Sequence, residues 1–231
     1  MNKIRLEKFI CHSTQYSRKD IVRLLKKGMI TVNGKIINKI VKVDPVKDII
    51  KVCDSEIKYE KYHYYMFNKP SGYLCANSDF RAKTIFDLFD LKPTQYFSVG
   101  RLDKDTEGLL IITDDGKWTN WILKPQNHIP KTYFLEIDKD FDEKIRKHSD
   151  SIKIDGYEVT EYDFKFLNNR QCELTIYEGK YHQVKQMMSY FGFNVIYLKR
   201  IKFGDLELPN NLKLGSLIEL NNHQKTLLKI I

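Results

Sequence analysis

Between Val99 and Gly116 the sequence reads VGRLDKDTEGLLIITDDG, which places Arg101, Asp103 and Asp105 in a polar loop running into the apolar stretch Leu109 to Ile112. A loop that enters a core strand is anchored at one end, so a side chain on it can be held in a fixed position. A carboxylate held there can act as nucleophile or as a stabiliser of developing positive charge. The plainer account is a turn laced by local ion pairs and side chain to backbone bonds, and spacing alone favours it. Two later segments carry further reactive groups. PKTYF, from Pro130, offers Tyr133, whose ring can stack and whose hydroxyl can move a proton, or which is simply a half-buried strand aromatic. YEGKYHQVKQM, from Tyr177, offers Lys185 after His182 and Gln183, and the last two read as structural residues of a first helical turn.

These groups need elements to hold them. Val184, Met187, Met188 and Phe191 fall at i, i+3, i+4 and i+7, and Gly192 follows, so a helix begins near His182 with one apolar stripe. YHYYMF, GLLIIT, KTYFLEI, QCELTIY and FNVIYLKR read as strands. Strands dominate, and the unit they build reads as one mixed, mainly antiparallel α+β domain. Before it, SRKDIVRLLKKG has a capping pattern in Ser17 and Asp20 and a stop at Gly28, which defines a helix. Ile21, Leu24 and Leu25 share one face of that helix, and Lys19, Arg23, Lys26 and Lys27 gather on another. A short helix at RLEKFI offers Leu6, Phe9 and Ile10 as packing partners, and ITVNGKII turns at Asn33-Gly34 as a hairpin. A composition shift near Glu56 to Lys61 separates the two parts, giving domains at 1–58 and 59–231.

Composition bounds the partners. Apolar residues at 42% and aromatics at 13% suffice for a real core, and 39 basic against 30 acidic residues leave a formal charge of +9. That surplus favours a polyanionic partner such as nucleic acid or an anionic membrane, the plainer account being a charged soluble surface. The start, MNKIRLEKFI, lacks the apolar core of a signal peptide, and no run approaches the roughly 20 apolar residues of a membrane span. A cytoplasmic protein with no membrane association is therefore expected. Cys11, Cys53, Cys75 and Cys172 stand far apart without ligand spacing, so they read as reduced thiols and no metal is expected. No phosphate-cradling glycine motif is present.

GRLDKDTEGLL closely resembles the central motif of the bacterial ribosomal pseudouridine synthases, whose essential residue is its first aspartate, here Asp103. FNKPSGYLC, PKTYF and YEGKYHQVKQM resemble, in order, the other motifs of that family, and together the four cover most of residues 65–205. The resemblance implies a K-P-x-G segment beneath the site, Tyr133 stacking on the target base, and Lys185 as the cation that pairs with Asp103. It leaves Asp105 to loop structure, and Arg101 to fill the gap left by the extruded nucleotide or to bind its phosphate. The run KYHQVKQM resembles the small-subunit branch, which has lysine where many relatives have arginine. Residues 1–58 resemble an S4 RNA-binding domain, with Arg5, Lys8, Arg18, Lys19, Arg23, Lys26 and Lys27 at the matching basic positions.

The activity implied by the resemblance is isomerisation of a uridine in 16S ribosomal RNA, in a pre-ribosomal particle, by a monomer that needs no cofactor. Two alternatives remain in view. One is the same reaction on a uridine of 23S rRNA. The other is a non-catalytic S4-type rRNA-binding or assembly protein, which leaves the retention of Asp103, Tyr133 and Lys185 unexplained.

Overall fold

The computed structural model describes residues 3–14 and 16–230; Met1 and Asn2 of the charged start, Gln15 and Ile231 lie outside the described residues. The chain divides into two compact units, Met1–Tyr62 and His63–Ile231. The division falls after Tyr62 rather than at 58. Tyr59 packs its ring 5.1 Å from that of Phe9, and the Lys61 carbonyl lies 2.7 Å from His12 Nε2, which ties this segment to the first unit.

In the first unit, α1 (Leu6–Ser13) precedes α2 (Arg18–Lys26). Helix α2 starts where the sequence predicts because Ser17 and Asp20 cap each other: Asp20 N donates to Ser17 Oγ at 3.2 Å, and Ser17 N to Asp20 Oδ2 at 3.0 Å. Such a cap stabilises a helix by about 1 kcal/mol. Leu6, Phe9 and Ile10 of α1 share one buried core with Ile21, Leu24 and Leu25 of α2. The hairpin β1 (Ile30–Val32) and β2 (Lys35–Ile36) turns at Asn33 and Gly34, both with positive φ, as an Asn-Gly turn requires. Two strands beyond the expected hairpin, β3 (Ile50–Val52) and β4 (Ser55–Ile57), extend it to a sheet of order β2-β1-β3-β4.

The second unit is a mixed, mainly antiparallel sheet with helices, the α+β class the strand pattern implied. Its path is β8 (Tyr162–Phe166), β9 (Gln171–Ile176), β7 (Lys131–Ile137), β10 (Val195–Phe203), β6 (Glu107–Thr113), β5 (Tyr64–Lys69) and β11 (Leu217–Glu219). All five strands read from sequence are present. Helix α3 (Gly116–Ile122) follows β6, and helix α4 (Gln183–Tyr190) buries Val184, Met187 and Met188 in one core with Leu135 of β7 and Leu174 of β9. Burying each such side chain contributes roughly 1.5–3 kcal/mol. A separate hairpin, Ile152–Ile154 with Tyr157–Val159, turns at Asp155-Gly156 and contacts α4. No described helix is long and apolar enough to cross a membrane.

One pairing in this sheet is parallel, β6 against β10, with Gly108 opposite Arg200. Gly108 has φ +103°, and a Cβ there would stand 2.2 Å from the Arg200 carbonyl oxygen and 2.8 Å from its nitrogen. Both neighbours are backbone, so neither can swing aside. The strand that continues from the Asp103 loop reaches the centre of the sheet only because residue 108 has no side chain. Gly108→Ala is expected to lower the unfolding free energy by about 3 kcal/mol or more. Urea unfolding measures it, and a loss below about 1 kcal/mol would mean that the two strands separate at little cost.

Candidate active site

The loop from Gly100 to Thr106 is fixed from several sides. Val99 N donates to Ile111 O at 2.8 Å, Leu102 N to Cys75 Sγ at 3.3 Å, and Gly72 N to Lys104 O at 2.7 Å. Beneath it lies Lys69, fully buried, whose ammonium shares its three protons among four backbone carbonyls: Pro70 at 3.2 Å, Asp103 and Lys104 at 3.1 Å, and Thr106 at 2.9 Å. Burial pushes the Lys69 pKa down, and the neighbouring acids oppose that shift. Three of those carbonyls belong to the loop, so one side chain clamps the backbone on both sides of the Asp103 carboxylate. A buried cation is tolerated when its hydrogen bonds are satisfied.

Above this floor opens a cleft of about 70 Å³, lined among others by Arg101, Asp103, Thr106, Tyr133, His182 and Lys185. The structure thus brings together the four candidates Arg101, Asp103, Tyr133 and Lys185 from three separate stretches of chain. Tyr133 sits on β7 beside a register irregularity between Thr132 and Tyr133, and only 8% of it is exposed. Bulges of this kind re-aim side chains next to active sites. Arg101 is exposed at the cleft's edge.

Lys185 binds two carboxylates. Its Nζ lies 2.6 Å from Asp105 Oδ1 and 3.4 Å from Asp103 Oδ2. The expected pair with Asp103 is therefore half of a bridge, and Asp105, assigned to loop structure, makes the shorter contact. The Asp105 side chain is 68% exposed against 27% for Asp103, and Asp103 alone of the two lines the cleft. The carboxylate that faces the cleft is Asp103. Partial burial works against charge at both ends of the Lys185–Asp105 contact, but their hydrogen bond and mutual attraction outweigh it. Asp105 is held below the usual carboxylate range, and Lys185 above the usual lysine value.

His182 is placed where sequence reasoning did not put it. It caps α4 in the left-handed conformation, φ 49° and ψ 29°, with no side-chain cap bond, and its Nε2 stands 3.5 Å from Asp103 Oδ1. Non-glycine residues at positive φ are costly and cluster at functional sites. Gln183, 3% exposed, plays the structural part expected of it. Its Oε1 accepts from Lys180 N at 2.9 Å, and its Nε2 donates to Glu178 Oε1 at 3.3 Å. Thr106, buried in the same loop, has a hydroxyl with no hydrogen-bond partner among the described residues.

The seven basic positions of the first unit are all exposed. Two of them have local partners: Arg5 Nε lies 2.5 Å from Glu7 Oε1, and Arg23 Nη2 lies 3.0 Å from Asp20 Oδ1.

A family model described as RNA pseudouridylate synthase matches residues 63–190, which include the loop, α4 and every lining residue of the cleft named above. An uncharacterised RNA pseudouridine synthase of Bacillus subtilis is 36% identical over 97% of this chain and 98% of its own. Ribosomal small subunit pseudouridine synthase A of Haemophilus influenzae is 33% identical, covering 92% of this chain and 94% of its own. Ribosomal large subunit pseudouridine synthase B of Bacillus subtilis is 34% identical, covering 95% and 93%. A crystal structure of a pseudouridylate synthase, 32% identical, superposes with a TM-score of 0.69 over 97% of this chain and 99% of that one.

Proposed function

This chain belongs to the RNA pseudouridylate synthase family, and from that premise we propose that it isomerises one specific uridine of 16S ribosomal RNA, with Asp103 as the catalytic carboxylate. The observation that carries this reading is the convergence of Asp103, Lys185 and the buried Tyr133 on one cleft above a clamped loop. Large-subunit and small-subunit relatives are about equally similar to this chain. The choice of 16S therefore rests on the run Lys180 to Met187.

The reaction breaks the bond between C1′ and N1, turns the uracil, and joins C5 to the same C1′; the proton leaving C5 is balanced by one gained at N1. No electron or external group enters, so the reading needs no cofactor. The uridine must first leave its stack, at a cost of a few kcal/mol that other RNA contacts must offset. Lys185, 3.4 Å from Asp103, orients the carboxylate to attack the sugar or to stabilise positive charge on it. Tyr133 stacks on the extruded uracil, and Arg101 holds a phosphate at the cleft's edge or occupies the vacated place in the stack.

Residues 1–58 act in this proposal as an S4-like RNA-binding module, with Arg5, Lys8, Arg18, Lys19, Arg23, Lys26 and Lys27 facing phosphates. The protein works as a monomer in the cytoplasm on a pre-ribosomal particle. Replacing Lys19, Arg23 and Lys26 with glutamate is expected to weaken RNA binding and flatten its dependence on log salt by roughly 2. Arg23 contributes least because Asp20 already partners it. Folding persists, since Ile21, Leu24 and Leu25 make the buried face. An unchanged slope would remove this face from the RNA interface.

The test of the whole reading is purified protein incubated with 16S and 23S rRNA, free and in partly assembled particles, with a metal chelator and no added nucleotide. Pseudouridine at one 16S position is expected. Modification confined to 23S would overturn the branch and keep the reaction type, and no modification in either would overturn the reaction.

A further inference from the structure

Extruding one nucleotide leaves its neighbours with an open stacking face, and the rim of the cleft carries a ring suited to it. Tyr181 is 70% exposed, yet its ring is not loose: it stacks on His182 with centroids 3.8 Å apart and planes 19° from parallel. His182 is in turn held by the left-handed cap of α4 and by Asp103 at 3.5 Å. The Tyr181 carbonyl accepts from Gln186 Nε2 at 2.8 Å, so the backbone is tied as well. Lys180 and His182 both line the cleft whereas Tyr181 does not, so the ring stands at its rim. One of its faces is covered by the imidazole, and the exposure belongs to the rest of the ring.

Resting on the isomerase reading, we propose that Tyr181 is a stacking platform for the RNA base next to the target uridine. The platform and the cleft share one frame: the imidazole that backs Tyr181 is the one that faces Asp103, so a base seated on Tyr181 stands beside the cleft that takes its neighbour. Base on aromatic stacking is tolerant of base identity, because every base has a flat face. Tyr181 therefore positions the substrate without choosing its sequence. It touches neither the sugar nor the uracil that reacts, so its loss acts on binding and not on chemistry.

Single-turnover assays on rRNA from cells lacking the gene, with wild type, Tyr181→Ala, Tyr181→Phe and Tyr181→Trp, test this. Tyr181→Ala is expected to raise the half-saturating RNA concentration about 10-fold. Its plateau rate stays within about 2-fold of wild type, and the salt slope of binding is unchanged because no counterion is released. Phenylalanine and tryptophan restore affinity, since both keep a flat ring. Once the modified uridine is mapped, transcripts with an abasic nucleotide on each side of it complete a cycle. On one of the two, wild type loses affinity and Tyr181→Ala loses no more. Unchanged affinity in Tyr181→Ala, a defect that phenylalanine fails to rescue, or additive losses with both abasic transcripts would overturn the platform while wild-type activity stands. A wild type that modifies no uridine would overturn the isomerase reading and the platform with it.

Discussion

Asp103→Asn is expected to lower the rate of isomerisation by at least about three orders of magnitude, because the amide keeps the shape of the carboxylate and removes its charge and nucleophilicity. Affinity for RNA should stay equal or rise slightly, since a negative group near phosphates is removed. Folding should be untouched: Lys69 holds the Asp103 backbone carbonyl rather than its side chain. Asp105→Asn is the matching control. Asp105 makes the shorter contact with Lys185 but does not line the cleft, so its loss should cost about 10-fold at most, through a looser Lys185. Single-turnover rates and binding titrations on the same preparations separate the two effects. If Asp103→Asn turned over at the wild-type rate, the carboxylate would have no part in the chemistry, and a binding protein would describe the chain better.

The second large effect concerns Lys185. Lys185→Met leaves Asp103 and Asp105 facing each other without their shared cation. Asp105, whose partial burial already works against its charge, loses the hydrogen bond and the attraction that hold its carboxyl below the usual range, so its pKa moves up. Asp103 loses the cation that stands 3.4 Å from it in the cleft. A loss of rate of about 100-fold is expected. Lys185→Arg keeps the charge and should retain activity within about 10-fold. A Lys185→Met rate equal to wild type, or a Lys185→Arg rate as low as that of Lys185→Met, would show that the charge at this position takes no part in the reaction.

Much of the fold was legible because local signals agreed with the tertiary structure. The capping pair at Ser17 and Asp20, the Asn33-Gly34 turn and the stripe Val184, Met187, Met188 and Phe191 act over a few residues, and each element formed where they place it. Asp155-Gly156 carries the same hairpin signal as Asn33-Gly34, and the hairpin it makes was missed because its strands have only three residues each. Strand β8 alternates half-buried with exposed residues and lacks the apolar run that marked the others. The loop of Asp103 and the helix of Lys185 could be placed, and their pairing followed from the resemblance, but the further partners Lys69, His182 and Asp105 could not be. Lys69 belongs to the K-P-x-G segment that the resemblance puts beneath the site, but the carbonyls that satisfy its buried ammonium lie up to 37 residues away and leave no local mark. His182 reads as a helix-start residue because a left-handed φ at a non-glycine leaves no mark in sequence. Lys185 reaching Asp105 more closely than Asp103 is a matter of less than 1 Å in side-chain placement. No spacing rule resolves that.

The most direct test of the central claim is a map of pseudouridine at nucleotide resolution across 16S and 23S rRNA, from cells carrying the gene, cells lacking it, and cells carrying only the Asp103→Asn form. One 16S uridine should be modified in the first and unmodified in the other two, with 23S rRNA the same in all three. A 16S map unchanged by loss of the gene, or one restored by Asp103→Asn, would contradict it.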